Sequence, residues 1–258
     1  MQRITYAAIV AAAHARTGKT LLSRVLADYF MVSGDSPMIF DTDPIEQTLS
    51  ASFPTQSLVV DINQVRDQML LFDNLASPSA DTRVVDLSHL AFRKFFNLMR
   101  DTDFIPEARF AGVEPLIFYI VDHDRRSLEE GRLLLDRFAD CAVVVVDNGH
   151  LRQPTSVTRR SSDYRALHAC DLHLAMPALD AVAATVIEED PLLSLGELLR
   201  QPLRSSIDAD DLAGNARAAI RGWVLRLFRE IHRVNEILAT RLAADPVPPQ
   251  LTPTRSDA

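Results

Sequence analysis

Ile4-Thr5-Tyr6-Ala7-Ala8-Ile9-Val10-Ala11-Ala12-Ala13-His14-Ala15-Arg16-Thr17-Gly18-Lys19-Thr20 decides how the rest of the chain is read. The run from Ile4 to Ala12 is apolar and of strand length, as expected of a parallel strand covered on both faces. After Gly18, apolar residues recur at helical spacing through Leu21, Leu22, Val25, Leu26, Tyr29 and Phe30, and Gly34 follows as a stop. Ala13-His14-Ala15 also has the small-x-small form of a signal-peptide cleavage site. The stretch ahead of it is short, carries Thr5 and Tyr6 and has one basic residue, Arg3, so the buried strand is the preferred reading.

Between strand and helix, residues 13–20 fit the second half of G-x-x-x-x-G-K-[ST], with Ala13 where the first glycine would stand. The spacing has a chemical reason. Amides of a tight loop and a helix N-terminus face a β-phosphate, a lysine bridges β- and γ-phosphates, and a hydroxyl binds Mg²⁺. Composition sharpens the assignment. The chain has 258 residues and 27 Lys plus Arg, of which only Lys19 and Lys94 are lysine, and 8 glycines. One of two lysines falls on the position that requires lysine. The expected phosphate-loop residues are Ala15, Arg16, Thr17, Gly18, Lys19, Thr20 and Leu21.

Working outward, strands alternate with helices. Strands are expected at Met38–Phe40, ending on Asp41, at 58–62, at Val84-Val85, ending on Asp86, at 115–121 and at 141–146. Helices are expected at 63–75, around Phe92, Phe95, Phe96 and Met99, and at 127–138. Residues 150–165 read as an Arg-rich surface loop, 172–176 as one more strand and 180–187 as a helix. From about 208 to 243, Ile220, Val224, Leu227, Ile231, Val234 and Leu238 are spaced 4-3-4-3-4, an a/d seam expected to pack within the chain more than between chains. The fold class is therefore α/β: a doubly wound, mostly parallel sheet flanked by helices, of the P-loop NTPase kind, with a long C-terminal helix. One domain is expected over 1–245, with a core at 4–177 and a helical part at 180–245, followed by a disordered Pro-rich tail at 246–258.

Within this frame the sequence resembles the ParA/MinD family of partition and site-positioning ATPases, the deviant Walker-A branch of P-loop NTPases. The resemblance spans about residues 4–148. It rests on the loop above, Phe40-Asp41-Thr42-Asp43-Pro44 in the place of switch I, Val84-Val85-Asp86-Leu87-Ser88 in that of switch II, and Val143-Val144-Val145-Val146-Asp147-Asn148 as the strand whose final Asn meets adenine. It implies ATP and Mg²⁺ as cofactors. Lys19 and Thr20 would serve phosphate and Mg²⁺, Asp41 or Asp43 would orient the attacking water, Asp86 would join Thr20 beside the metal, and Asn148 would lie near the base. Plain alternatives are a strand-end turn at Asp41–Pro44, a helix cap at Asp86 and an Asn-Gly turn at Asn148-Gly149. The family loop K-G-G-x-G-K-[ST] carries a first lysine that reaches a partner's nucleotide. Here His14 stands in its place and Ala15 and Arg16 replace two glycines, which leaves hydrolysis open.

The expected function is a Mg-ATP-binding switch ATPase in partitioning, positioning or assembly, forming a nucleotide-dependent homodimer and acting on an unidentified protein partner. The alternatives are a non-hydrolysing interaction module on the same fold and, less favoured, a small-molecule P-loop kinase. The formal net charge of −8 argues against binding nucleic acid through overall charge, although Arg152–Arg165 and the Arg-decorated last helix leave a DNA or membrane contact open. No apolar run is long enough to span a bilayer, and a cytoplasmic location is expected. Two cysteines, Cys141 and Cys170, exclude a disulfide framework. The spacings of His123, His150, His168 and His173 with those cysteines match no zinc pattern, and no G-x-S-x-G elbow accompanies Ser88 and His89.

Overall fold

The computed structural model describes residues 4–78, 81–192, 194–200 and 212–244. Seven strands, β1 (Thr5–Ala11), β2 (Met38–Asp41), β3 (Ser57–Val59), β4 (Arg83–Asp86), β5 (Val113–Val121), β6 (Ala142–Asn148) and β7 (His173–Met176), form one sheet in the order β3-β2-β4-β1-β5-β6-β7. Every pairing is parallel. A parallel pair needs a crossover, and the helices supply it while covering both faces. That is why β1 and β5 are buried almost end to end and read as largely apolar runs, with Glu114 of β5 paired to Arg109. The architecture is the expected doubly wound, P-loop NTPase-like α/β fold.

Alternation sorts the side chains. Tyr6, Ala8, Val10 and Ala12 join a core with α1 (Lys19–Val32) and α11 (Leu212–Ala244), while Ala7, Ile9 and Ala11 join one with α3 (Val65–Leu75), α4 (Phe92–Asp101) and α6 (Arg125–Arg137). The seam of α11 lies in the first core, and Ile220, Val224, Leu227, Ile231 and Val234 are fully buried there. Trp223 is buried beside them, and its indole N–H donates to Pro177 O at 2.7 Å. Buried charge ties the helical part to α1. Arg24 donates to Ile187 O and Asp190 O at the end of α9 (Ala181–Glu189), and Asp28 accepts from Leu195 N and Ser194 Oγ at the start of α10 (Leu195–Arg200).

Several expectations change. Residues 150–165 are not a plain loop, because they contain α7 (Ser156–Arg160) and begin α8 (Ser162–His168). Thr155 and Ser161 cap those helices through their hydroxyls, accepting from Thr158 N and Tyr164 N. α2 (Thr48–Ser52), α5 (Phe104–Phe110) and α10 were not anticipated. The strand expected at 58–62 is shorter and starts earlier, at Ser57. The tail at 246–258 and the first residues of the expected last helix lie outside the described residues. Among the described residues, no helix is long and apolar enough to cross a membrane.

Candidate nucleotide site

β1 lies between β4 and β5, where the chain order reverses direction across the sheet. Open α/β sheets bind ligands outside the carboxyl ends of their strands at such a point. The loop 12–18 leaves β1 there and enters α1. Arg16 has φ 57° and Gly18 φ 92°, so two turns into the left-handed region shape the loop. Gly18 is required twice over: its φ disfavours a side chain, and a Cβ would stand 2.8 Å from Asn148 Nδ2. Arg16 takes the left-handed conformation without that freedom, at a cost of roughly 1 kcal/mol.

The loop is tied from inside. Lys19 Nζ donates to His14 O at 3.0 Å, spanning the turn it follows, and the side chain is nearly buried. Burial lowers the Lys19 pKa, against the pull of Asp86 and Asp43. Thr20 Oγ1 donates to Asp86 Oδ2 at 2.6 Å, and Ser23 Oγ, one helical turn on, donates to Oδ1 at 3.1 Å. Thr20 and Asp86, expected together beside the metal, are therefore in direct contact. Burial pushes the Asp86 carboxyl up to about 6, only partly offset by the Thr20 hydrogen bond.

The two aspartates of the 41–44 segment part company. Asp41 is buried, and its oxygens are filled by amides: Oδ1 accepts from Asp43 N, Oδ2 from Leu49 N and Ser50 N. It shapes the turn and starts α2. Asp43 Oδ1 accepts from Ile45 N and Glu46 N, and its Oδ2 lies 3.4 Å from Ser88 Oγ. Asp43 thus links the segment after β2 to the one after β4. Thr42 adds a second link, donating through Oγ1 to Asp86 O and accepting from Ser88 N. Ala15, Arg16, Lys19, Thr20, Asp41, Asp43, Glu46, Thr48, Asp86, Ser88 and His89 line a cleft of about 150 Å³. That volume suits a phosphate group and is smaller than a cavity for a whole nucleotide.

Asn148 and His14 depart from the simplest expectation. Asn148 Nδ2 donates to Thr17 O and its Oδ1 accepts from His150 N, so both polar ends brace backbone, one of them the phosphate loop itself. His14 Nδ1 lies 2.5 Å from Asp122 Oδ2 and its Nε2 3.5 Å from Asp124 Oδ2, in the turn between β5 and α6. Thr17, expected in the loop, is buried, and Leu21 packs on the core beneath α1. Sequence reasoning passed over Ser23, Thr42, Asp122 and Asp124. Ser23 follows Thr20 at i+3 and so shares its helix face, a spacing that would have found it.

The cleft's donor set suits a hard cation. A hydroxyl and a carboxylate in contact, with a second carboxylate across the cleft, are oxygen ligands of the type Mg²⁺ takes.

No protein-family model matches the chain, and no curated protein matches it. Among solved structures it is similar to the septum site-determining protein MinD complexed with Mg-ADP from Pyrococcus horikoshii OT3. The identity is 14% and the TM-score 0.41, over 84% of this chain and 95% of that one. A likeness so distant sets neither the family nor the activity of this chain.

Proposed function

We propose that the chain is a Mg-ATP-binding P-loop ATPase of ParA/MinD type that works as a nucleotide-dependent switch. The observation that carries this reading is the contact of Thr20 with the buried Asp86, directly after a lysine and a left-handed glycine. Burying a carboxylate with no cationic side chain bonded to it is costly, and a site that receives a cation repays that cost. Thr20 and Asp86 would hold Mg²⁺, which would supply positive charge against the phosphates. Lys19 would leave His14 O for the phosphates, a compact ammonium exchanging a carbonyl for stronger anionic acceptors. The loop amides would receive the β-phosphate at the start of α1. Asp43, whose Oδ2 no backbone amide occupies, would orient water in line with the terminal phosphate. A terminal phosphate would also compete with Asp43 for the Ser88 hydroxyl, which is how binding would reset both segments for a partner. Homodimer formation, an unidentified protein partner and a cytoplasmic setting complete the proposal.

The test is ATP binding and turnover by the wild type, Lys19→Ala and Asp86→Asn. A wild type without ATP affinity at millimolar Mg-ATP would end the reading. One observation favours a second reading, a module that binds nucleotide without hydrolysing it. His14 is drawn to Asp122 and Asp124, and Asp41 is spent on backbone, so of the two aspartates of this segment only Asp43 keeps an oxygen that no amide occupies. ATP binding with no turnover in the presence of candidate partners would favour that module.

A further inference from the structure

Away from the nucleotide cleft, one carboxylate is shared by three imidazoles. Asp147 stands next to last in β6, on the face opposite Asn148. His168 of α8 approaches it with Nε2 3.4 Å from Oδ1, His123 of the β5–α6 turn with Nε2 3.9 Å from Oδ1, and His173 of β7 with Nδ1 3.8 Å from Oδ2. Each contact is an ion pair when its imidazole is protonated, and a single carboxylate neutralises a single proton.

The surroundings decide which ring takes that proton. His168 Nδ1 lies 3.0 Å from Tyr164 O, a carbonyl that only accepts, while Nε2 faces Asp147. Only an imidazolium offers N–H groups to both acceptors at once. Tyr164 stacks on the same ring, with centroids 3.8 Å apart and planes 18° apart, and fixes its rotation. The other two rings are placed in the opposite way. Nδ1 of His123 and Nε2 of His173 are buried without a hydrogen-bond partner. Protonating both nitrogens of either ring would leave one buried N–H with no acceptor, beside an imidazolium already in place. The centroids of His123 and His173 lie 6.1 and 5.5 Å from that of His168.

We propose that Asp147, His123, His168 and His173 form a pH-gated latch, which holds the α7–α8 crossover on the sheet while one of the three imidazoles carries a proton and loosens it on either side of that state. The crossover is lightly held otherwise. α7 buries no side chain and α8 buries only Leu167, with Tyr164 partly covered, and segments with so few apolar contacts are the first to open locally.

The titration directions agree with the geometry. The pair with Asp147 raises His168 above 6.5, and burial lowers His123 below it, against the pull of Asp147. Burial would raise the Asp147 carboxyl, but the adjoining imidazoles hold it well below the ordinary carboxylate range. His168, raised on folding, favours the closed latch until pH rises through its folded value. His123, lowered on folding, weakens the latch as pH falls below 6.5. The two limbs give an optimum near neutrality. Other charges surround the cluster: Arg159 of α7 and Asp122 act on His123, and Arg233 of α11 donates to His173 O while paired with Glu230. Asp171, ahead of β7, is paired with Arg241, and Arg132 of α6 with Asp136. Histidine is the residue type among these whose charge ordinarily changes between about pH 5 and 8, so the imidazoles carry the response.

The experiment uses the full chain without nucleotide, so its outcome is independent of the nucleotide reading. Hydrogen exchange of residues 156–168, corrected for the intrinsic rate, is followed from about pH 5 to 9, beside NMR titration of the histidine rings. Opening of α8 should be least near neutrality and rise at least about 3-fold toward each end, while β5 stays protected. The His168 ring should titrate above 6.5 and the His123 ring below it. Asp147→Asn should flatten the alkaline limb and bring the His168 titration down. If that variant does not fold, the two ring titrations in the wild type still decide. Opening that does not vary with pH, loosening of β5 in step with α8, a His168 ring titrating below His123, or an alkaline limb kept in Asp147→Asn overturns the proposal.

Discussion

At the carboxyl ends of β1, β2 and β4 the protein buries Lys19, Asp41, Thr42 and Asp86, whereas under α11 it buries Ile220, Trp223, Val224, Leu227, Ile231 and Val234. Both regions touch α1, one at its N-terminus and one along its face. The α11 face gains free energy with each apolar side chain removed from water, roughly 1.5–3 kcal/mol for a full Val, Leu or Ile. The loop end spends free energy on desolvated charge and on a left-handed Arg16. The difference separates what holds the fold from what the fold holds in place.

The largest effect should come from the face that holds the fold. Trp223→Ala removes a fully buried ring and leaves Pro177 O without its donor, and should cost roughly 3–5 kcal/mol of unfolding free energy in denaturant titration. If nucleotide affinity measured well below the melting temperature fell equally, the two regions would not be separable. Next, Lys19→Ala should weaken ATP binding by about 100-fold or more, about 3 kcal/mol, while its denaturation midpoint stays near that of the wild type.

Asp86→Asn sharpens the contrast, because its two effects have opposite signs. A carboxyl raised from 3.8 to about 6 on folding is neutral more readily in the folded chain. Its contribution therefore favours the folded state as pH falls through that window, and this is lost as pH rises through about 6. At pH 7.5, Asp86→Asn should gain roughly 1–3 kcal/mol and raise Tm by a few degrees, while Mg²⁺-dependent nucleotide binding drops. The smallest effect is Arg16→Gly, which relieves a left-handed side-chain-bearing residue and should stabilise by roughly 1 kcal/mol in a thermal melt. A destabilised Arg16→Gly would mean that the loop carries no strain.

The two regions were not equally legible from sequence. The α11 seam shows itself because burial imposes a period on side chains, and that period is visible without any tertiary knowledge. β1, α1 and the Gly18-Lys19-Thr20 turn were legible for the same reason, joined by a spacing that phosphate chemistry demands. The separate fates of Asp41 and Asp43 were not, because two aspartates two residues apart differ only in which amides reach them. Asn148 was placed on the right strand end, yet its amide braces Thr17 O, a contact between residues far apart in the chain. Least legible was the company of Asp147. Its neighbours His123, His168 and His173 come from a turn, a helix and a strand, so no fixed spacing announces them, and only the order of β5, β6 and β7 brings them to one place.

The pairing of β1 also bears on how the chain is made. β1 leaves the ribosome ahead of its permanent neighbours, β4, from Arg83, and β5, from Val113. At synthesis rates of about 5–20 residues per second, the apolar segment Thr5–Ala11 waits roughly 5–20 seconds for its second edge. Unpaired strands of that composition are prone to aggregate. The apolar segment therefore stays exposed until β5 has emerged, and slower translation before Val113 should lower the soluble yield.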